Sequence, residues 1–183
     1  MLLQQLVNGL TLGTTYALIA LGYTMVYGII QLINFAHGEI YMIGAFVGLI
    51  MVVVFQVHFL LAMLAAMAVC VVLAVLIERI AYRPLRSSTR LAPLISAIGV
   101  SIFLQTLVTL IKGSPNPLGF PQVIQDTVYV LGPVQFSLVQ VIILVLAGLL
   151  MISLHCTVKY TKVGKAMRAT SEDYETAHLM GIN

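Results

Sequence analysis

Charge is what this chain has least of: Asp, Glu, Lys and Arg make up only 8% of its 183 residues. A soluble domain usually has about a quarter charged residues, so there are too few here to solvate a globular surface. Hydrophobic residues reach 61% and the mean hydropathy is +1.07. Membrane protein is the class that fits. Cysteine is scarce as well. Cys70 and Cys156 stand far apart in different apolar runs, without metal-ligand spacing, and read as packing residues. The opening "MLLQQLVNGLTLG" has no lysine or arginine; without a basic n-region no signal cleavage is expected. No phosphate-binding GxxxxGK[ST] loop occurs. No serine–histidine or paired-aspartate arrangement falls inside the apolar runs, which argues against an enzyme. The net charge of +3 is small and unevenly placed, a sign of membrane topology and not of nucleic-acid binding. No internal repeat is visible, and no cofactor or metal is expected.

What remains is a series of apolar runs. Leu2 to Ile33 would measure about 48 Å as one helix at about 1.5 Å per residue, longer than a hydrocarbon core of about 30 Å. A span over Leu10–Ile30 is expected, preceded by an interfacial or broken segment. Ile40–Phe55 is a second run, short for a span. Gln56–His58 interrupts it, and Phe59–Ile77, Leu91–Ile111 and Val134–Val158 complete about five spans. The pairs Gly9/Gly13 and Gly44/Gly48 have the spacing that lets helices approach closely in lipid. The expected fold class is all-α, a polytopic transmembrane helical bundle. Its domains are a membrane part over 1–158 and a cytoplasmic segment over 159–183.

Positive charge orients the bundle. Arg79, Arg83, Arg86 and Arg90 fill the loop after the third run, where Pro84 breaks the helix. Lys159, Lys162, Lys165 and Arg168 follow the fifth, whereas the proline-rich 112–133 loop has only Lys112. The positive-inside rule places the first two segments in the cytoplasm and the third outside. The side of the N-terminus stays open.

Two stretches stand out. "INFAHGEIYMIG" puts Asn34, His37 and Glu39 within six positions between apolar runs. Polar groups at membrane depth are costly and usually face a bundle interior or an aqueous cavity, and Gly38 lets the backbone leave the helix. These residues line a substrate pathway or gate, or bond neighbouring helices as a structural element, or form a solvated surface turn. One His and one Glu fall short of a metal-ligand set. The second stretch is "GKAMRATSEDYETAHLMGIN". Thr170 or Ser171 can cap a helix over 171–180, and Thr170 to Asp173 matches a loose capping box. Glu172, Asp173 and Glu175 would occupy its first turn, and Gly181 would stop it. Its face is weakly apolar and its start acidic, which suits a soluble partner better than anionic lipid.

"YALIALGYTMVYGIIQLINFAHGEIYMIGAF", "ERIAYRPLRSSTRLAPLISAIGVSIFLQ" and "VGKAMRATSEDYETAHLMGIN" together resemble branched-chain amino acid ABC permeases, the Liv-type inner-membrane subunits. The resemblance covers nearly the whole chain. It implies a multi-pass inner-membrane subunit of a bacterial importer for branched-chain or related amino acids. Its implied partners are cytoplasmic ABC ATPase subunits, a second permease subunit and a periplasmic binding protein. The closing stretch also resembles the importers' ATPase-coupling motif, E-A-A, three residues, G. Here it reads Glu175, Thr176, Ala177 and Gly181, with Thr176 departing from alanine. Gly164, Arg168, Glu172 and Asp173 fall in the same implied coupling segment. Family permeases carry further spans, so the resemblance implies an incomplete permease fold. A urea or short-chain amide permease of the same family is the alternative. From another class the rival is a proton-coupled carrier with Glu39 and His37 as relay, which would need no docking helix.

Overall fold

The computed structural model describes residues 2–30, 34–85, 88, 91–114, 116–123, 127–131 and 134–182. Ile33, Arg86, Ser87, Arg90 and Asp126 lie outside them. The elements in order are α1 (Leu2–Ile30), α2 (His37–Val53), α3 (Phe59–Ile77), a π turn (Glu78–Tyr82), a 3-10 turn (Arg83–Leu85), α4 (Leu91–Lys112), β1 (Val128–Leu131), β2 (Val134–Ser137), α5 (Leu138–Tyr160), α6 (Lys162–Glu172) and α7 (Tyr174–Leu179). Four of them, in α1, α3, α4 and α5, are long and apolar enough to cross a membrane, and α2 is a shorter apolar helix. The all-α, polytopic architecture stands.

The chain divides into two compact units. The first combines Met1–Gln31 with Ile124–Asn183. Here α1 is one unbroken helix of 29 residues, and the expected break before Leu10 is absent. No proline interrupts it. Its threonines turn their hydroxyls back onto the helix: Thr11 Oγ1 donates to the Val7 carbonyl at 3.0 Å and Thr14 Oγ1 to Leu10 at 2.6 Å. Such back-bonding lets a hydroxyl sit in an apolar helix without a partner elsewhere. At about 43 Å the helix overshoots the hydrocarbon core.

Residues Val134–Ser137, expected to open the fifth span, form β2 instead, paired antiparallel with β1. Tyr129 stacks on Phe136 with ring centroids 5.8 Å apart. The helix waits until Leu138 because Ser137 and Gln140 close a full capping box. The Gln4 side chain then behaves as a third strand: its Nε2 donates to the Gln135 carbonyl and its Oε1 accepts from the Gln135 N–H, both at 2.7 Å. Gln140 Nε2 also reaches Asn8 Oδ1 at 3.3 Å. The start of α1, the hairpin and the start of α5 therefore share one end of this unit, so α1 and α5 run parallel. α6 packs on both of them at the α5 C-terminus.

The second unit covers Leu32–Val123. α2 and α3 pack as an antiparallel pair, and α4 lies against α2 and the π turn. A Cβ on Gly44 would stand 2.6 Å from Cys70 Sγ, so this glycine does set a close helix approach. Gly9, Gly13 and Gly48 meet nothing within 4 Å among the described residues. Ala62, Ala97, Leu104 and Ile77 are buried, whereas Leu60, Leu64, Val71 and Phe103 are exposed. Small residues at contacts and large apolar ones outside are what a bundle in lipid requires.

Candidate functional site

The polar island lies in the second unit. Asn34 precedes α2, and its Oδ1 accepts from the Ala36 N–H at 3.0 Å and the Tyr82 hydroxyl at 2.6 Å. Tyr82 closes the π turn after α3, and Ser96 Oγ donates to the Ala81 carbonyl of that turn at 3.1 Å. The His37 N–H donates to the Asn34 carbonyl at 3.2 Å and begins α2. Ala36 is wholly buried at the bend.

Glu39 sits in the first turn of α2. Its Oε1 accepts from Ser101 Oγ at 3.0 Å and Gln105 Nε2 at 2.6 Å. Ser101 is midway along the 22-residue α4, about 15 Å from its start. Cys70 Sγ contacts the Ile40 carbonyl at 3.4 Å, which puts the same turn well inside α3. The first turn of α2 thus lies level with the middle of α4 and alongside the body of α3. A carboxylate there needs donors, and α4 supplies two. Sequence reasoning missed Ser101, Gln105 and Tyr82. The first two stand four residues apart, on one helix face, a signal that was readable; Tyr82 carried none.

The residues expected to form the coupling segment lie in the first unit. Thr161 separates α5 from α6 and caps α6, its Oγ1 accepting from the Gly164 N–H at 3.0 Å. Gly164 is buried, and a Cβ on it would stand 2.2 Å from the Val158 carbonyl oxygen and 2.3 Å from that of Thr157. Arg168 Nη2 donates to the Lys159 carbonyl at 3.4 Å, meeting an orphan acceptor and the negative end of α5.

The expected helix over 171–180 is divided differently. Thr170 and Ser171 are not caps: their hydroxyls bond back to Ala166 and Arg168 within α6. Glu172 is the last residue of α6, outside any first turn. Asp173, extended at φ −151°, caps α7 and accepts from the N–H groups of Glu175 and Thr176. A carboxylate is a stronger acceptor at this position than the hydroxyls before it, so the chain breaks at 173. The Thr176 hydroxyl bonds the same carboxylate, which gives its departure from alanine a local purpose. Glu175 does stand in the first turn. Gly181, at φ 83°, ends the helix in a Schellman motif, its N–H donating to His178 and that of Ile182 to Ala177. Ala177 is only 5% exposed, while Tyr174, Leu179 and Met180 are bare.

The Thr176 hydroxyl and then its amide hold the Asp173 carboxyl below its usual range, against an opposing effect of burial, and the Glu175 amide adds to the lowering. A depressed folded value means that the cap's contribution is complete above the unfolded value of about 3.9. It is lost as pH falls through the lower folded value. Amide exchange at Glu175 and Thr176 is expected to stay protected down to about pH 4, and Asp173→Ala to expose both amides at neutral pH. Equal protection in variant and wild type would refute the cap.

Residues 5–183 match the family model described as branched-chain amino acid transport system / permease component. The high-affinity branched-chain amino acid transport system permease protein BraD of Pseudomonas aeruginosa is 47% identical over 194 residues, covering 99% of this chain and 62% of that protein. The corresponding LivH proteins of Escherichia coli and Salmonella typhimurium are 45% and 44% identical over 193 residues, with the same coverage. The chain thus spans less than two thirds of these relatives' length. No solved structure matches it. With four helices among the described residues long and apolar enough to cross a membrane, a shorter apolar one and relatives of this identity along nearly its whole length, the chain is a multi-pass protein of the cell inner membrane and belongs to the branched-chain amino acid transport permease family.

Proposed function

We propose that this chain serves in the permease subunit of a bacterial ABC importer that moves branched-chain or related amino acids. A separate cytoplasmic subunit hydrolyses ATP, a second permease subunit completes the pathway, and a periplasmic binding protein delivers substrate. The family match along residues 5–183 carries this reading. Asn34, His37 and Glu39 line the pathway or its gate, with Glu39 held at depth by α4. α6 and α7 receive the ATPase. The exposed residues Tyr174, Glu175, Leu179 and Met180 offer the contact, and Ala177 shapes it from beneath by letting α7 lie close to its own chain. Movement of the ATPase then shifts the population between outward- and inward-facing states.

The test is the full-length protein reconstituted in liposomes with its ATPase, second permease and binding-protein subunits. Leucine uptake is expected to require ATP and the binding protein. Uptake driven by a pH gradient without ATP would replace this reading with a proton-coupled carrier.

The topology follows from the lysines and arginines. The 79–90 loop and residues 159–183 face the cytoplasm, and 112–133 faces outward. Because Gln4 is bonded to Gln135, the start of α1 shares the hairpin's side and lies outside. In a cysteine-free full-length protein, Asn116→Cys is expected to react with an impermeant maleimide in intact cells, and Ser88→Cys only after lysis. Labelling of Ser88→Cys from outside would invert the orientation.

A further inference from the structure

The joint between α5 and α6 carries a basic cluster apart from Tyr174, Glu175, Leu179 and Met180, the exposed residues proposed to meet the ATPase. α5 ends at Tyr160, one residue separates it from α6, and α6 packs back on α1 and α5. It therefore stays at the end of two spans. Lys159, Lys162 and Lys165 are exposed there, and no carboxylate stands between residues 127 and 171. Lys162 and Lys165 occupy the first and fourth positions of α6, a helix with no acid in its first turn. This is the end at which the helix dipole disfavours cations, so their placement works against the helix. Arg168 differs, since its guanidinium already serves the Lys159 carbonyl. Apolar side chains flank the lysines in the open: Tyr160 is 73% exposed and Val163 60%. Aromatic and basic side chains together at the end of a span match the headgroup layer, with the ring at the acyl boundary and the ammonium groups in water.

We propose that Lys159, Lys162 and Lys165 form a binding site for an anionic phospholipid headgroup, with Tyr160 and Val163 seated at the acyl boundary. The proposal rests on α5 crossing the membrane, but not on what the protein transports. A headgroup phosphate offsets the positive charge of the lysines and meets the positive end of α6. An acidic protein surface would satisfy the lysines but would leave the two apolar side chains unexplained, so lipid is the occupant favoured.

The test uses the full-length complex in nanodiscs of phosphatidylcholine doped with spin-labelled phosphatidylglycerol, reading the relative affinity for the labelled lipid. Each Lys→Gln change is expected to weaken the preference about fivefold, and the triple change about 100-fold. Triple Lys→Arg is expected to retain it, showing that charge and not fold is lost. An undiminished preference in the Lys→Gln triple variant overturns the proposal. So does loss of ATPase co-purification with lipid preference intact, which would assign the lysines to a protein partner. The readout needs no transport, so a failure of the importer reading leaves it standing.

Discussion

Gly164→Ala is expected to be among the most damaging single-methyl additions in the chain. The added Cβ would meet the carbonyl oxygens of Val158 and Thr157 at 2.2 and 2.3 Å. These belong to the last turn of α5 and cannot swing aside as a side-chain terminus can. Relief requires α6 to move off α5 by about 1 Å to reach ordinary contact. That movement strains the Thr161 cap at Gly164 and the Arg168 bond to Lys159. Overpacking of a fitted site costs about 1–3 kcal/mol, and an equilibrium shifted by that much changes about 5- to 150-fold. In the full-length complex, uptake is expected to drop within that range and the melting temperature to fall, with Gly164→Ser equally harmful. Gly148→Ala is the control: it lies within α5 and a Cβ there meets nothing within 4 Å. That change is expected to be neutral or stabilising, by about 0.5–1 kcal/mol. Wild-type melting and uptake in Gly164→Ala would show that α6 does not press on α5 in the working protein.

Glu39 gives the second large effect, and two substitutions separate its charge from its geometry. Glu39→Leu removes the acceptor of Ser101 Oγ and Gln105 Nε2. Interhelical hydrogen bonds in membranes average about 0.6 kcal/mol and reach about 1.7, so the loss comes to about 1–3 kcal/mol. Ser101 recovers part of it by turning back to its own helix. Glu39→Gln keeps the shape: with its amide carbonyl in the place of Oε1, it accepts from both Ser101 Oγ and Gln105 Nε2. If the carboxylate works in the pathway, Glu39→Gln is expected to lower uptake about tenfold, worth about 1.4 kcal/mol in a barrier. The assembled complex and its melting temperature would be unchanged. Normal uptake in Glu39→Gln would sink the pathway role, and failure of that variant to accumulate would make Glu39 structural.

The parts of the fold legible in the sequence were those set by solvation. The apolar runs announced α1 to α5, because only a helix satisfies its backbone in lipid. Gly181 announced the end of α7, because its φ of 83° suits glycine above other residues. What stayed hidden depended on competition or on distant contact. The hairpin was masked by the prolines before it, although "TVYVLGPVQFS" holds two short β-prone runs around Gly-Pro. The break at Asp173 turned on which of several neighbouring acceptors wins the cap. The island's polarity was plain, but its partners on α4 were not: Glu39 faces Ser101, 62 positions away.

The passage from α5 to α6 runs through Thr161 alone. One residue contributes two soft torsions, and the Gly164 contact and Thr161 cap hold both. An elbow so restricted transmits torque with little slack. α6 is about 16 Å long, so a rotation of about 10° at Thr161 carries its far end about 3 Å. If α7 receives the ATPase as proposed, a displacement applied at Asp173 and α7 reaches the membrane as a turn of α5 about its base. The segment would then work as a crank whose throw is set by the length of α6, and lengthening that helix by one turn would change the gearing without altering any contact at the elbow.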